Sequence, residues 1–177
     1  MWGKVVESGE KCVILKPNLK NGQEMRLLGN IEAKTDTKGR VFLPATFRKE
    51  LSSGNTCLVL RKDVYQPCLT LYPEESWNEQ MDSVRSRINR WNPRHQQIYR
   101  QFLADVEITY PDSSGRILIP KRLLEAAGIN QSIRFIGMGD YIEVWSAEAS
   151  SQPFVAPEDF TSALEELMSG EPEEHKE

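Results

Sequence analysis

From position 30 onward the chain alternates short apolar runs with turn residues. Asn30 to Thr35 and Val41-Phe42-Leu43 flank Asp36-Thr37-Lys38-Gly39-Arg40. An Asp that bonds nearby backbone through its side chain, followed by a Gly free to take positive φ, predicts a tight turn there. The flanks are then the strands of a β-hairpin. Pro44 suits a first helical position, where its missing N–H costs nothing, so a helix is predicted from Pro44 to Leu51. Gly54 signals its end, and the β-rich runs Thr56 to Arg61 and Cys68 to Tyr72 predict a second hairpin.

The pattern then returns. Asp112-Ser113-Ser114-Gly115-Arg116-Ile117-Leu118-Ile119-Pro120 repeats Asp36 to Pro44 at a constant offset of 76 (112 minus 36). Each copy spells Asp, two polar residues, Gly, Arg, three apolar residues and Pro. The second continues into a helix from Pro120 to Ala127, a stop at Gly128, and strands Ser132 to Ile136 and Tyr141 to Trp145, with Gly137-Met138-Gly139-Asp140 as the hairpin turn. Between the copies Trp77, Met81, Val84, Ile88 and Trp91 recur at steps of 4, 3, 4 and 3, one apolar stripe on a helix. Asn92-Pro93 stops that helix and caps another, in which Ile98 and Phe102 share a face. Arg85, Arg87, Arg90, Arg94 and Arg100 stud this connector, either as a solvated face or for phosphate contact or subunit packing. The first 24 residues fit neither copy, and Met25 is the expected natural start, which mass spectrometry of the endogenous protein would test.

Composition narrows the function classes. No apolar run approaches the roughly 20 residues of a bilayer span, and Val13-Ile14-Leu15 is too short for a signal-peptide core, so a cytoplasmic protein is expected. Cys12, Cys57 and Cys68 stand at unrelated spacings, away from His95 and His175; no metal site is expected. No nucleophile context or dinucleotide fingerprint is present, so neither an enzyme nor a cofactor is expected. The formal charge of −4 hides an uneven distribution: residues 158 to 177 hold eight acids and one base, Lys176, a net of −7, which leaves 21 bases against 18 acids elsewhere. The acidic end is expected to be solvated, or to compete with a nucleic acid for the basic surface.

Arg40 and Arg116 each follow a turn Gly that lets backbone approach a partner, and Arg is shaped for bidentate contact with phosphate or a guanine edge. Copy 1 adds Lys34 and Lys38 on the turn arm and Arg48 and Lys49 on the helix. Copy 2 has Lys121 and Arg122 but carries Leu124 and Glu125 where copy 1 has Arg48 and Lys49, so copy 1 is expected to be the stronger DNA face. The other reading of both arginines is a pair with Asp36 or Asp112 across the turn, fixing the hairpin alone. Asp36, Gly39, Pro44, Asp112, Gly115 and Pro120 read mainly as structure. Two further classes stay open: an oligomeric protein-interaction scaffold and an RNA-binding regulator, although no RRM-type strand is present.

The paired Asp-x-x-Gly-Arg-apolar-Pro motifs resemble the MraZ proteins, tandem members of the AbrB/SpoVT superfamily, over about Met25 to Ser146, including Cys68-Leu69-Thr70-Leu71-Tyr72-Pro73 and Trp77. The resemblance implies an α+β, mainly β fold in which two swapped-hairpin modules form a pseudo-twofold barrel. Its organisation would be an N-terminal extension at 1–24, domain 1 at 30–76, a helical connector at 77–104, domain 2 at 105–148 and an acidic tail at 149–177. It also implies a transcription regulator, typically a repressor of the division and cell-wall gene cluster containing its own gene, that works at the nucleoid and binds short direct repeats in double-stranded DNA as a homo-oligomeric ring. DNA contacts would fall on Arg40 first and then on Lys38, Arg48 and Lys49; Lys34 and Arg116 are further candidates from the residue pattern itself.

Overall fold

A computed structural model describes residues 19–20 and 23–24 along the backbone and 26–51, 57–149 and 153–169 in full. The expected start at Met25, the helix stop at Gly54 and the acidic end from 170 onward lie outside the described residues, as does most of the N-terminal extension. A two-residue ribbon, β1 (Leu19–Lys20) against β2 (Gln23–Glu24), comes first. Copy 1 then supplies β3 (Leu27–Lys34), β4 (Arg40–Phe42), α1 (Ala45–Leu51), β5 (Leu58–Lys62) and β6 (Leu69–Pro73). The connector is α2 (Glu74–Ser86) and α3 (Pro93–Ala104). Copy 2 repeats the order as β7 (Glu107–Thr109), β8 (Arg116–Leu118), α4 (Lys121–Ala126), β9 (Ser132–Gly139) and β10 (Ile142–Ser146), and α5 (Pro157–Ser169) follows.

The turns form where the sequence predicts them, but their flanking strands do not pair with each other. Two backbone bonds close each turn: the Gly39 N–H donates to the Asp36 carbonyl (3.0 Å) and the Gly115 N–H to the Asp112 carbonyl (2.8 Å), and the outermost bond runs from the Asp36 N–H to the Arg40 carbonyl and from the Asp112 N–H to the Arg116 carbonyl, both 2.8 Å. Beyond it the strands part: β3 runs along β9, β7 along β5, and β4 along β8. Every one of these pairings joins one copy to the other. The Asp side chain and these local backbone bonds hold each turn shut without a ladder between its flanks, which frees the flanks for longer partners; β3 finds eight residues of β9, which the three-residue β4 could not offer. In the β4–β8 ribbon Val41 faces Ile117, its own counterpart at the offset of 76, so the ribbon is self-complementary. The bonds at its ends are related by the same pseudo-twofold: Leu43 N–H to the Gly115 carbonyl at 3.0 Å and Ile119 N–H to the Gly39 carbonyl at 2.9 Å.

The described strands make an open six-stranded sheet, β3-β9-β10-β6-β5-β7, with the two small ribbons apart from it, so the barrel is not closed. The larger apolar cluster draws on both copies: Val41, Leu43, Phe47 and Leu51 from one, Ile117, Ile119, Leu123 and Ala127 from the other, against Leu58, Leu69, Phe135 and Val144 of the sheet. Phe47 meets Phe135 edge to face at 6.3 Å between ring centroids. On the opposite face of the sheet α2 and α3 cover β5 and β6 through Trp77 and Phe102, whose rings stack at 5.5 Å beside Tyr72.

Two local expectations change. The α2 helix begins at Glu74 and ends at Ser86, so Ile88 and Trp91 fall beyond it and Trp91 is 94% exposed. Asn89 stops the stripe by accepting the Trp91 N–H on its side chain at 2.9 Å, a local bond that competes with helix. Asn92 caps α3 as predicted, accepting from the amides of Arg94 and His95. The segment 137–140 is mostly strand: Gly137, Met138 and Gly139 lie within β9, where a Cβ on Gly137 would stand 2.3 Å from the Leu27 carbonyl oxygen. Gly137 is there for close approach of two strands. No helix among the described residues is long and apolar enough to cross a membrane.

Candidate nucleic-acid interface

Each turn is organised around one carboxylate. Asp36 Oδ1 accepts the amides of Lys38 and Arg40, both at 2.9 Å, while Oδ2 takes Nε and Nη2 of the Arg40 guanidinium, each at 2.7 Å. Asp112 repeats this with the amides of Ser114 and Arg116 at 2.9 Å and the Arg116 guanidinium at 2.8 Å. The Arg40 amide, then its guanidinium, hold the Asp36 carboxyl down at about 2; Asp112 is lowered by the same groups of Arg116. The pairing of each Arg with its turn Asp is therefore real. It does not seal the arginines: the Arg40 side chain is 39% exposed and that of Arg116 31%. An Arg held by Nε and Nη2 keeps Nη1 for another acceptor, and the fixed fork loses little entropy on binding.

Alternation along the ribbon sends Val41 and Ile117 inward and Arg40, Phe42, Arg116 and Leu118 outward. Phe42 and Leu118 are 60% and 50% exposed, and the Arg116 guanidinium stands 5.8 Å from the Phe42 ring. Sequence reading counted Phe42 and Leu118 only as apolar; the period of two around the buried Val41 and Ile117 was the signal that both face out.

The fold also regroups the basic residues. Arg48, grouped by sequence with the copy 1 turn, lies across the copy 2 turn: a Cβ on Gly115 would stand 2.5 Å from Arg48 Nη1 and 2.8 Å from its Cδ. At the other end Leu124, its counterpart, packs on Gly39. The helix of each copy thus braces the turn of the other. Lys34 ends β3 and Lys38 sits in the turn, both exposed; Lys49 is exposed on α1. In copy 2, Arg122 is tied to Asp105 at 3.2 Å and closely to Glu107, which raise its pKa. That guanidinium is neutralised within the chain. Among the described residues no cluster of side chains could hold a metal ion.

The family model described as "MraZ protein, putative antitoxin-like" matches residues 27–101 and again 102–166. This chain belongs to the MraZ family. A protein of Phocaeicola vulgatus named Transcriptional regulator MraZ is 61% identical over 145 residues, covering 81% of this chain and 94% of the relative. One of the same name from Bacteroides thetaiotaomicron is 57% identical over 148 residues, 83% of this chain and 95% of its own. A more distant namesake from Yersinia pestis is 30% identical over 135 residues, 76% of this chain and 88% of its own. The two MraZ matches divide the chain within the connector, between the two copies of the turn motif.

Proposed function

We propose that this protein is a sequence-specific DNA-binding transcription regulator. It represses the division and cell-wall gene cluster that contains its own gene, acting at the nucleoid as a homo-oligomer on short upstream direct repeats. The observation that carries this reading is the outer face of the β4–β8 ribbon, where two half-exposed arginines, each clamped by a turn aspartate, project from its two ends. Arg40 reads a base edge. Lys34, Lys38, Lys49 and the Arg48–Arg116 end make phosphate contacts that set position. Pairing between copies makes the swapped hairpins one rigid unit, so both arginines are presented at a fixed separation. Several modest basic faces on one oligomeric ring would gain affinity from several repeats at once.

The test is a gel shift of DNA upstream of the protein's own gene, with RNA and unrelated DNA as competitors. Arg40→Ala is expected to abolish the specific shift without changing oligomer size; intact binding by that variant refutes the assignment. With about four to six phosphates neutralised per bound unit, log affinity should fall against log salt with a slope of about −0.9 per phosphate. Competition by RNA as strong as by the operator would favour an RNA-binding regulator instead.

A further inference from the structure

Among the described residues α5 buries none of its side chains. All of its residues are exposed, including Phe160 (57%), Leu164 (43%), Leu167 (75%) and Met168 (77%). These four fall at helical spacing on one face. Glu158 and Glu165 line one flank of that face and Asp159 and Glu166 the other, and the helix contains no base. The segment before it lies near the sheet, since Pro153 and Phe154 line one shallow pocket together with Ile136, Met138 and Trp145 of β9 and β10. Only Val155 and Ala156 intervene, so the helix is tethered close to that part of the sheet. An apolar stripe bordered on both sides by acids calls for an apolar cleft bordered by bases.

Such a cleft exists in the connector. A hollow of about 500 Å³ is lined by Ile88 and Tyr99 with Arg85, Arg90 and Gln96 around them. Arg87, Arg94 and Arg100 are exposed on the same helix-turn-helix, as is Trp91. Among the described residues none of these five arginines is in an ion pair. In one copy the two surfaces do not meet: α5 follows β10, whereas α2 and α3 rest on β5 and β6. We propose that α5 of one copy docks in the α2–α3 cleft of a second copy, with its apolar stripe on Ile88 and Tyr99 and its acidic flanks against the arginines. Because donor and acceptor surfaces differ, the contact is head-to-tail. Repeated, it closes a ring or extends a filament. The inference rests on the proposal that copies assemble and is independent of the DNA reading.

The test uses the full chain with two sets of exposed substitutions, Glu165→Lys with Glu166→Lys on α5, and Arg85→Glu with Arg90→Glu on the connector. Sedimentation or light scattering over a concentration series reads assembly, and circular dichroism checks that both variants stay folded. Each variant alone should weaken assembly by roughly tenfold or more, since like charges then face each other. Mixing the two variants, or combining both sets in one chain, should restore it. Unchanged assembly in both variants overturns the inference while leaving DNA binding untouched. A wild type that stays monomeric at every concentration overturns it as well, by removing the assembly it rests on. A concentration-independent effect of the substitutions would mean that α5 folds back on its own copy, and it too overturns the proposal.

Discussion

Gly39 and Gly115 occupy equivalent turn positions with the same left-handed backbone, φ +83° and +80°, yet alanine should damage them unequally. At either site an alanine in this region costs roughly 1–2 kcal/mol, because its Cβ crowds the following carbonyl. At Gly39 the new Cβ would also lie 2.4 Å from the Ile119 carbonyl oxygen. That is backbone, and it belongs to the residue whose N–H bonds the Gly39 carbonyl at 2.9 Å. Relieving the clash means moving β8 away from the turn, a forced shift of the kind that costs roughly 1–3 kcal/mol, so Gly39→Ala should lose about 2–5 kcal/mol in total. At Gly115 the nearest atoms belong to the Arg48 side chain, which can rotate off into solvent, so the loss should stay near roughly 1–2 kcal/mol. Urea titrations at fixed protein concentration would show this as a larger drop in midpoint for Gly39→Ala with similar slopes. Displacing Arg48 should also reduce the salt slope of DNA binding in Gly115→Ala by about one phosphate equivalent. Equal losses at the two sites, or a larger one at Gly115, would refute the placement of Arg48 across the copy 2 turn.

On the proposed function, Asp36 is a positioning residue: it clamps Arg40 through Oδ2 and would not itself touch DNA. Asp36→Ala should therefore lower operator affinity as Arg40→Ala does, whereas Asp36→Asn, which keeps an oxygen for the two turn amides, should retain more of it; an Asp36→Ala variant that binds normally would exclude this positioning role. The same carboxylate gives a pH signature. Its folded value is depressed from 3.8 to about 2, so its contribution to stability is complete above about pH 4 and is lost as pH falls towards 2. Asp112 adds to this in the same direction, and denaturation midpoints of Asp36→Asn should fall less steeply than wild type in that window. Burial, then the Glu143 charge, push the Cys68 thiol up to about 12. At pH 8 roughly one molecule in ten thousand carries the thiolate, so in a Cys12→Ser, Cys57→Ser background a thiol reagent should label Cys68 only after unfolding, and reaction of the native protein at a free-thiol rate would contradict the burial.

The turns, the helices after them and the start of α3 were legible because each is written in local chemistry: Asp and Gly at the turns, Asn92 at the cap of α3, and a Pro just before each short helix, although Pro44 and Pro120 stand one place outside α1 and α4 and not at the first helical position expected of them. The partners of the strands were not. Nothing within Asn30 to Leu43 says that β3 will leave its neighbour for β9, since that choice depends on the length and apolar content of a strand about a hundred residues away. The same blindness put Arg48 with the wrong turn. Its contact with Gly115 follows from strand exchange between the copies, and offset counting along the sequence assigns it to the turn just before it. The outward face of Phe42 and Leu118 was within reach of the alternation rule. It was missed because three consecutive apolar residues read as a buried strand when they belong to a ribbon with only one covered face. The helix in the C-terminal segment was hidden by its acids, although Phe160, Leu164 and Leu167 stand at the spacing of one apolar face.

The exchange of strands bears on what the duplication means. Each copy lends the other the strand beside its turn, the carbonyl that caps its ribbon and the helix that braces its glycine, so a half-chain holds no complete version of either end. A chain cut after Ala104 would keep β3 and β4 but lose β9 and β8, exposing Leu27, Val41 and Phe47, all now at 1% exposure or less. Copy 1 can recover these contacts only by meeting a second copy 1, with Val41 facing Val41 across a true twofold axis in place of Ile117. The half-chain should then be unfolded when dilute and folded only as a dimer, with circular dichroism that depends on concentration. In that dimer Arg48 would lie over Gly39, so both turns would carry the same basic brace, where the whole chain has Arg48 at one end and Leu124 at the other. A folded monomer of residues 1–104 would show that the copies are self-sufficient and that the crossed pairing is not what holds the turns in place. The inequality of the two ends is thus a property of side chains laid on a nearly symmetric backbone: the duplication fixes where two arginines stand, and the divergence at positions 48 and 124 decides which of them has a second guanidinium beside it.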